Sequence, residues 1–181
     1  MKFLIASDIH GDLNCARTVI DAFQTEKCDK ILLLGDILYH GPRNDLPDGY
    51  NPKGVIELLN SNKNYILAVR GNCDTEVDQM VLKFPILADY ICLSLDGLAV
   101  YATHGHKYNV ESPLPLQTGD ILLHGHTHVF ACTKFGNDNY YLNPGSASIP
   151  KEGNPKSYMI YEDRCFTVKD FAGKVVLSKQ F

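Results

Sequence analysis

The chain has 181 residues, 45% hydrophobic and 21% charged, which suits one domain, residues 1–181, with a substantial core. Its formal net charge of -4 argues against a general nucleic-acid clamp, because gripping a phosphate backbone needs an excess of Lys and Arg. Six scattered cysteines without a Cys-x-x-Cys pair exclude a zinc ribbon; an N-terminus too short for an export signal and the lack of a bilayer-length apolar run then point to a reducing cytoplasm and no membrane.

Phe3-Leu4-Ile5-Ala6 reads as a short buried strand. Asp8-Ile9-His10-Gly11-Asp12 follows it, and Leu13 to Phe23 then carries apolar residues at helical spacing. Asp8 and His10 therefore fall in the loop at the carboxyl end of a first strand, the edge at which open α/β sheets bind ligands. A carboxylate and an imidazole two residues apart can converge there on one divalent ion. The plainer reading makes Asp12 a helix N-cap and His10 an ordinary loop residue.

Ile31 to Leu34 is a second buried strand, and Gly35-Asp36 follows at once. Two acidic loops at one sheet edge repel unless a cation lies between them. Tyr39 to Pro52 is rich in Gly, Pro, Asn and Asp and long for a structureless connection, which favours a functional loop. His40 and Arg43 within it either reach a substrate phosphate or belong to a solvated surface. A short helix spans Lys53 to Leu59. A third strand, Tyr65 to Val69, ends in Arg70-Gly71-Asn72-Cys73-Asp74, where Asn72 offers a neutral oxygen ligand. A helix from Thr75 to Leu82 follows, with Asp74 or Thr75 as its cap.

From there the pattern turns β-rich. Tyr90 to Leu95 and Leu98 to Ala102 flank an Asp96-Gly97 turn, a strong hairpin signal, and the second strand runs into Thr103-His104-Gly105-His106. Asp120 to Leu123 runs into His124-Gly125-His126-Thr127-His128. Further strands are expected at Val129 to Lys134, Tyr140 to Leu142, Tyr158 to Tyr161, Cys165 to Phe171 and Lys174 to Leu177. The order, βαβαβα and then strands, suggests two packed sheets with helices outside.

Five strand-end loops thus hold Asp8, His10, Asp36, Asn72, His104, His126 and His128. Seven O and N donors suffice for two adjacent divalent ions if one carboxylate bridges them, and such ion pairs, about 3.5–4 Å apart, commonly hydrolyse phosphate esters. With no thiolate among the seven, Mn, Fe, Ni or Zn fits and an iron–sulfur cluster does not.

Asp-x-His, Gly-Asp, Gly-Asn-x-Asp, a His after a strand and Gly-His-x-His occur from Asp8 to His128 in the order seen in calcineurin-like metallophosphoesterases. The chain resembles that family, and its length, Ser7-Asp8-Ile9-His10-Gly11 and Asn143-Pro144-Gly145-Ser146 resemble the short prokaryotic phosphodiesterase branch. The resemblance implies an α/β fold, a four-layer α/β/β/α sandwich of two packed mixed sheets with flanking helices. It implies two divalent ions per chain, Mn foremost. Asp8, His10, Asp36 and His128 would hold the first ion, and Asp36, Asn72, His104 and His126 the second. A metal-bridging hydroxide would attack a small phosphodiester, with Asp36, His104 and Cys73 as the catalytic set and His40, Arg43, Asn72 and His106 toward substrate. Much of the family has His where this chain has Cys73, and a thiol replaces an imidazolium poorly. That departure disfavours phosphomonoesters, unless Cys73 is only a packed small residue. His106 would orient His104 or touch substrate, and His124 would be structural. The alternatives are a non-catalytic metal-binding scaffold like the retromer subunit of this fold, for which ligands should have been lost, and a nuclease, against which the acidic charge weighs. β-sheet edges leave a homo-oligomer open.

Overall fold

Along the first strand, β1 (Phe3–Ala6), side chains alternate between two cores, and the other elements are layered on either side of it. The computed structural model describes residues 1–181. Leu4 and Ala6 join a core shared with α1 (Leu13–Thr25) and α2 (Pro52–Ser61), whereas Phe3 and Ile5 join a core between the two sheets. β2 (Lys30–Leu33) repeats the division: Ile31 and Leu33 pack toward the helices, Leu32 toward the second sheet. These side chains are buried, and each of the Phe, Leu and Ile side chains contributes roughly 1.5–3 kcal/mol of burial.

The first sheet has the order β11-β10-β9-β1-β2-β3. Its parallel centre is β1, β2 and β3 (Ile66–Ala68). β9 (Ser157–Glu162), β10 (Cys165–Asp170) and β11 (Val175–Gln180) extend it antiparallel. The second sheet has the order β4-β5-β6-β8-β7, built from β4 (Tyr90–Leu95), β5 (Leu98–Thr103), β6 (Ile121–Leu123), β7 (Ala131–Phe135) and β8 (Asn139–Asn143). Here β5, β6 and β8 run parallel, and β4 and β7 close the edges antiparallel. Both sheets are mixed and pack face to face, as the resemblance implies. Every α-helix, including α3 (Glu76–Val81), precedes β4, and the residues 104–120 between β5 and β6 are irregular.

The expected strands and helices are all present, with ends displaced by a few residues. Asp96 and Gly97 both take positive φ, 50° and 83°, as a tight hairpin turn requires. Asp12 caps α1 by accepting the Cys15 N–H at 3.0 Å. Thr75, not Asp74, caps α3, in a reciprocal box with Asp78. Asp74 is drawn away because its carboxylate is needed by the backbone after β2.

The carboxyl ends of five parallel strands, β1, β2 and β3 in one sheet and β5 and β6 in the other, meet at one end of the sandwich. The loops that follow them carry all seven candidate ligands.

Candidate metal centre

Five of the seven candidate residues have backbones that L-residues seldom adopt. Asp8, His10, Asp36, His126 and His128 lie at φ of 57°, 49°, 54°, 66° and 62°. Each such residue costs of order 1 kcal/mol or more and persists only where the surroundings over-determine it. Here the surroundings are well defined. The main-chain N–H groups of Asp8 and His10 donate to the carbonyls of Gly35 and Asp36, tying the first two loops together. Ser146 and Ser148 both donate hydroxyls to the Asp8 carbonyl, at 3.0 and 2.7 Å. The buried Asn143 amide holds the Gly125 carbonyl and Thr127 Oγ1, each at 3.0 Å, fixing the loop between His126 and His128. Asp74 accepts the N–H groups of Asp36, Ile37 and Gly71 at 2.8, 2.9 and 2.7 Å. Gly71 has no room for a side chain: a Cβ there would run into the Asp36 carboxylate.

The structure gathers all seven side chains into two donor groups that share one atom. Asp36 Oδ2 lies 3.7 Å from His10 Nε2 and 3.5 Å from His104 Nε2. On the first side, Asp8 Oδ1 is 3.6 Å from His10 Nε2 and 3.2 Å from His128 Nε2, and those two imidazole nitrogens are 3.4 Å apart. On the second, His104 Nε2 is 3.0 Å from Asn72 Oδ1 and 3.2 Å from His126 Nδ1.

These atoms are lone-pair donors facing one another. The Nδ1–H of His10, His104 and His128 donates to the carbonyls of Tyr39, Leu34 and Ile149, at 2.8, 2.6 and 2.6 Å. That fixes the tautomer and leaves each Nε2 as a bare acceptor. With the imidazoles neutral, His104 Nε2 against Asn72 Oδ1, and His10 Nε2 against His128 Nε2, set lone pair against lone pair, and a positive charge between them, a proton or a metal ion, relieves the contact. Asp8 Oδ1 is buried and makes no hydrogen bond, although His128 Nε2 is close. A divalent ion on each side would satisfy these atoms, so the residues fit the metals that the ligand set calls for.

The electrostatics agree. Burial opposes it, but the carboxylates of Asp36 and Asp8 raise the His104 imidazole to about 9, so a proton stands where a cation is favoured. Burial works against Asp8 and Asp36 as well, yet His10 and His128 hold Asp8 far below the usual carboxylate range, and His104 lowers Asp36. Burial pushes the Cys73 thiol up to about 12, and the Asp36 charge adds to it. Cys73 Sγ stands near His10 and Asp36, but it accepts the Asn72 Nδ2–H at 3.2 Å. A protonated, hydrogen-bonded sulfur is a poor ligand. That contact also aims the Asn72 oxygen at His104.

A cleft of about 450 Å³ opens over the cluster, walled on its far side by Arg43, Asn44, Thr127 and Lys151. Of the residues expected toward substrate, Arg43 is in the cleft wall. His40 is not: it is absent from the cleft wall, and its ring packs edge-on to Tyr39 and Tyr50. His106 also stays out of the wall and sits behind the cluster, its ring 5.4 Å from that of His104. Burial, then the rings of His104 and His126, push it down to about 4, so it stays neutral. His124 is structural, stacked on Tyr141 with ring centroids 4.2 Å apart. Asn44, Thr127, Lys151, Asp74, Ser146 and Ser148 were not picked out for these places. They carry no spacing rule, and only the fold brings 143–151 against the first loop.

A family model described as a calcineurin-like phosphoesterase superfamily domain matches residues 1–164. The phosphodiesterase YfcE of Escherichia coli is 44% identical over 168 residues, covering 93% of this chain and 91% of its own. A solved structure of YfcE, described as a phosphoesterase from E. coli, superposes with a TM-score of 0.95 at 41% identity, over 99% of this chain and 98% of that one. Vps29 of Chaetomium thermophilum, at 18% identity and a TM-score of 0.63 over 99% and 96% of the chains, shares the fold. Matched along most of its length both by the family model and by a relative of this similarity, the chain belongs to the calcineurin-like phosphoesterase superfamily.

Proposed function

We propose that this chain is a dinuclear-metal phosphodiesterase acting on a small phosphodiester. The observation that carries the reading is the single oxygen, Asp36 Oδ2, shared between two groups of inward-facing lone pairs. Asp8, His10, Asp36 and His128 would hold one ion, and Asp36, Asn72, His104 and His126 the other. When bound, two divalent cations supply an acidified water as nucleophile, and positive charge for the phosphoryl oxygens. Mn suits this donor set, as do Fe, Ni and Zn.

The chain's own groups have separate tasks. The carbonyls of Tyr39, Leu34 and Ile149 lock three imidazoles in the ligating tautomer. Arg43 and Lys151 offer cations at the cleft wall to orient the non-bridging phosphate oxygens. Cys73 adds no charge and no strong proton donor, which favours the singly charged diester, and the name of the E. coli relative supports the same class. A scaffold of the same fold would have no use for a complete, strained ligand set. The centre draws on loops of both sheets, so residues 1–181 act as one unit.

The test is metal-stripped protein, reloaded with Mn, assayed on an aryl phosphodiester. Turnover that depends on added metal is expected, and its absence across a panel of diesters and divalent ions would sink the proposal. Removing an outer-shell partner typically costs 10–100-fold, so Asp36→Asn, which alters a shared ligand, should lose more than about 100-fold. Near-wild-type activity with two ions still bound would show that Asp36 does not bridge.

A further inference from the structure

The two flanks of the cleft differ in chemistry. Past Arg43, Asn44 and Lys151 it continues into a polar hollow of about 430 Å³. On the opposite flank is an apolar hollow of about 360 Å³, between Tyr39 and Tyr50 on one side and Ile56, Val77 and Val81 on the other. That size is within the range of small-ligand sites. Cys73 lines both this hollow and the cleft, and its Sγ lies within 4.8 Å of ligand atoms of His10 and Asp36. A small, uncharged side chain therefore separates the metal cluster from an apolar chamber.

The chamber wall is left in water without a structural reason. Val77 is 68% exposed, and Tyr39 and Val81 are 41% exposed each. α3 buries none of its own residues, so these valines are not held outward by a core. Two charged groups stand on the wall, Lys53 and Asp78, and one Asp78 oxygen accepts the Thr75 N–H and Oγ1–H at 2.7 and 2.8 Å.

We infer that this hollow binds the apolar ester group of an asymmetric phosphodiester, an alkyl chain or aromatic ring whose phosphate lies over the Asp36 cluster. The inference rests on the diesterase reading and adds the substrate class to it. The second ester arm, on the Arg43 side, meets a mainly polar wall that carries charges of both signs, Arg43, Lys151 and Lys156 beside Asp45 and Asp48, and is polar. An apolar arm has only the Cys73 flank to enter.

Methylphosphonate n-alkyl esters, from methyl to hexyl, carry one negative charge, and their single P–O ester bond has only a poor alkoxide leaving group, so they turn over slowly. On the Mn-loaded enzyme they should compete with bis(4-nitrophenyl) phosphate, and Ki should fall about threefold per added methylene, somewhat less than full transfer of a buried methylene would give. In Val77→Asp the hexyl-to-methyl ratio of Ki should collapse toward 1. Met80→Asp, on the same helix at 83% exposed but outside the hollow, should keep the wild-type ratio. The same series read as a rise in Tm reports on the hollow independently of turnover. An absence of diester hydrolysis beside a chain-length-dependent Tm rise would reject the diesterase reading and keep the hollow. Hydrolysis with Ki independent of chain length, or a gradient that survives Val77→Asp, overturns the inference. So does a Val77→Asp variant that turns a dimer into a monomer with its gradient intact, because the valines would then be a self-contact.

Discussion

At the scale of single residues, the proposed role of Cys73 is to bias substrate choice without touching the metal ligation. Its backbone N–H donates to Asp36 Oδ1 at 2.8 Å whatever its side chain is, so the cluster tolerates exchange of the thiol. A phosphomonoester near neutral pH carries nearly two negative charges and a diester one. A thiol near 12 adds neither cation nor general acid, help worth roughly 10²–10⁴-fold where it operates. Wild type should therefore prefer diesters, with the largest deficit for monoesters of poor alkoxide leaving groups. Cys73→His should move the kcat/KM ratio toward monoesters, while Cys73→Ser should leave metal content unchanged. A wild type that prefers monoesters would reject this role. His124 offers a test of pH dependence. Burial depresses it to about 4, so it is neutral in the fold and takes up a proton on unfolding below about 6.5. The unfolded state then binds more protons, and stability falls as pH falls from about 6.5 toward 4, by up to roughly 3 kcal/mol at about 1.4 kcal/mol per pH unit. His124→Phe keeps the stack on Tyr141 and removes the proton, so its Tm should hold up better than wild type across that window. Parallel Tm curves for the two would show that His124 does not titrate as its burial dictates.

At the scale of loops and strands, Asp74 joins two of the five ligand loops. It is a buried carboxylate whose acceptors are filled by three backbone N–H groups on the Asp36 and Gly71 turns. Burial raises it to about 6 although those bonds favour the charged form. Asp74→Ala leaves three buried donors unpaired, at about 1–3 kcal/mol each before water enters. It should lower Tm by several degrees and activity by roughly 10–100-fold, as loss of an outer-shell partner does. Full activity at an unchanged Tm would mean that the loop holds itself. The sequence placed Asp74 near the site and offered it, beside Thr75, as the cap of the following helix, because either residue before a helix commonly is one. Which side chain caps depends on what else competes for the carboxylate, and two of the three competing N–H groups, those of Asp36 and Ile37, lie 38 and 37 positions from Asp74 in sequence, while that of Gly71 lies three away.

Across the whole molecule, the candidate ligands come from loops of both sheets: Asp8, His10, Asp36 and Asn72 from the first, His104, His126 and His128 from the second. Ions bound between them would cross-link the two layers at one end. Metal at 100 times its dissociation constant adds about 2.7 kcal/mol to the folded state, or roughly 5–10 °C in Tm for a chain of this length. Calorimetry with Mn against excess chelator should show that gap, and an unchanged Tm would argue against tight metal binding. His126→Ala and His128→Ala should each retain about one ion per chain by elemental analysis, since each leaves the other donor group whole. No helix of this protein is long and apolar enough to cross a membrane.

The sequence by itself determined the element order, the two-sheet layering and the seven residues that meet at the sandwich end. Those are local signals: buried apolar runs set the strands, and the first polar residues after a strand must lie at its carboxyl end. Only the tertiary structure decided that Asp36 Oδ2 faces both donor groups, that His40 turns away between Tyr39 and Tyr50, and that Lys151 and the serines at 146 and 148 close around Asp8 and the cleft. These depend on which loops pack against one another and on contacts between residues from 10 to 140 positions apart, which no local pattern encodes.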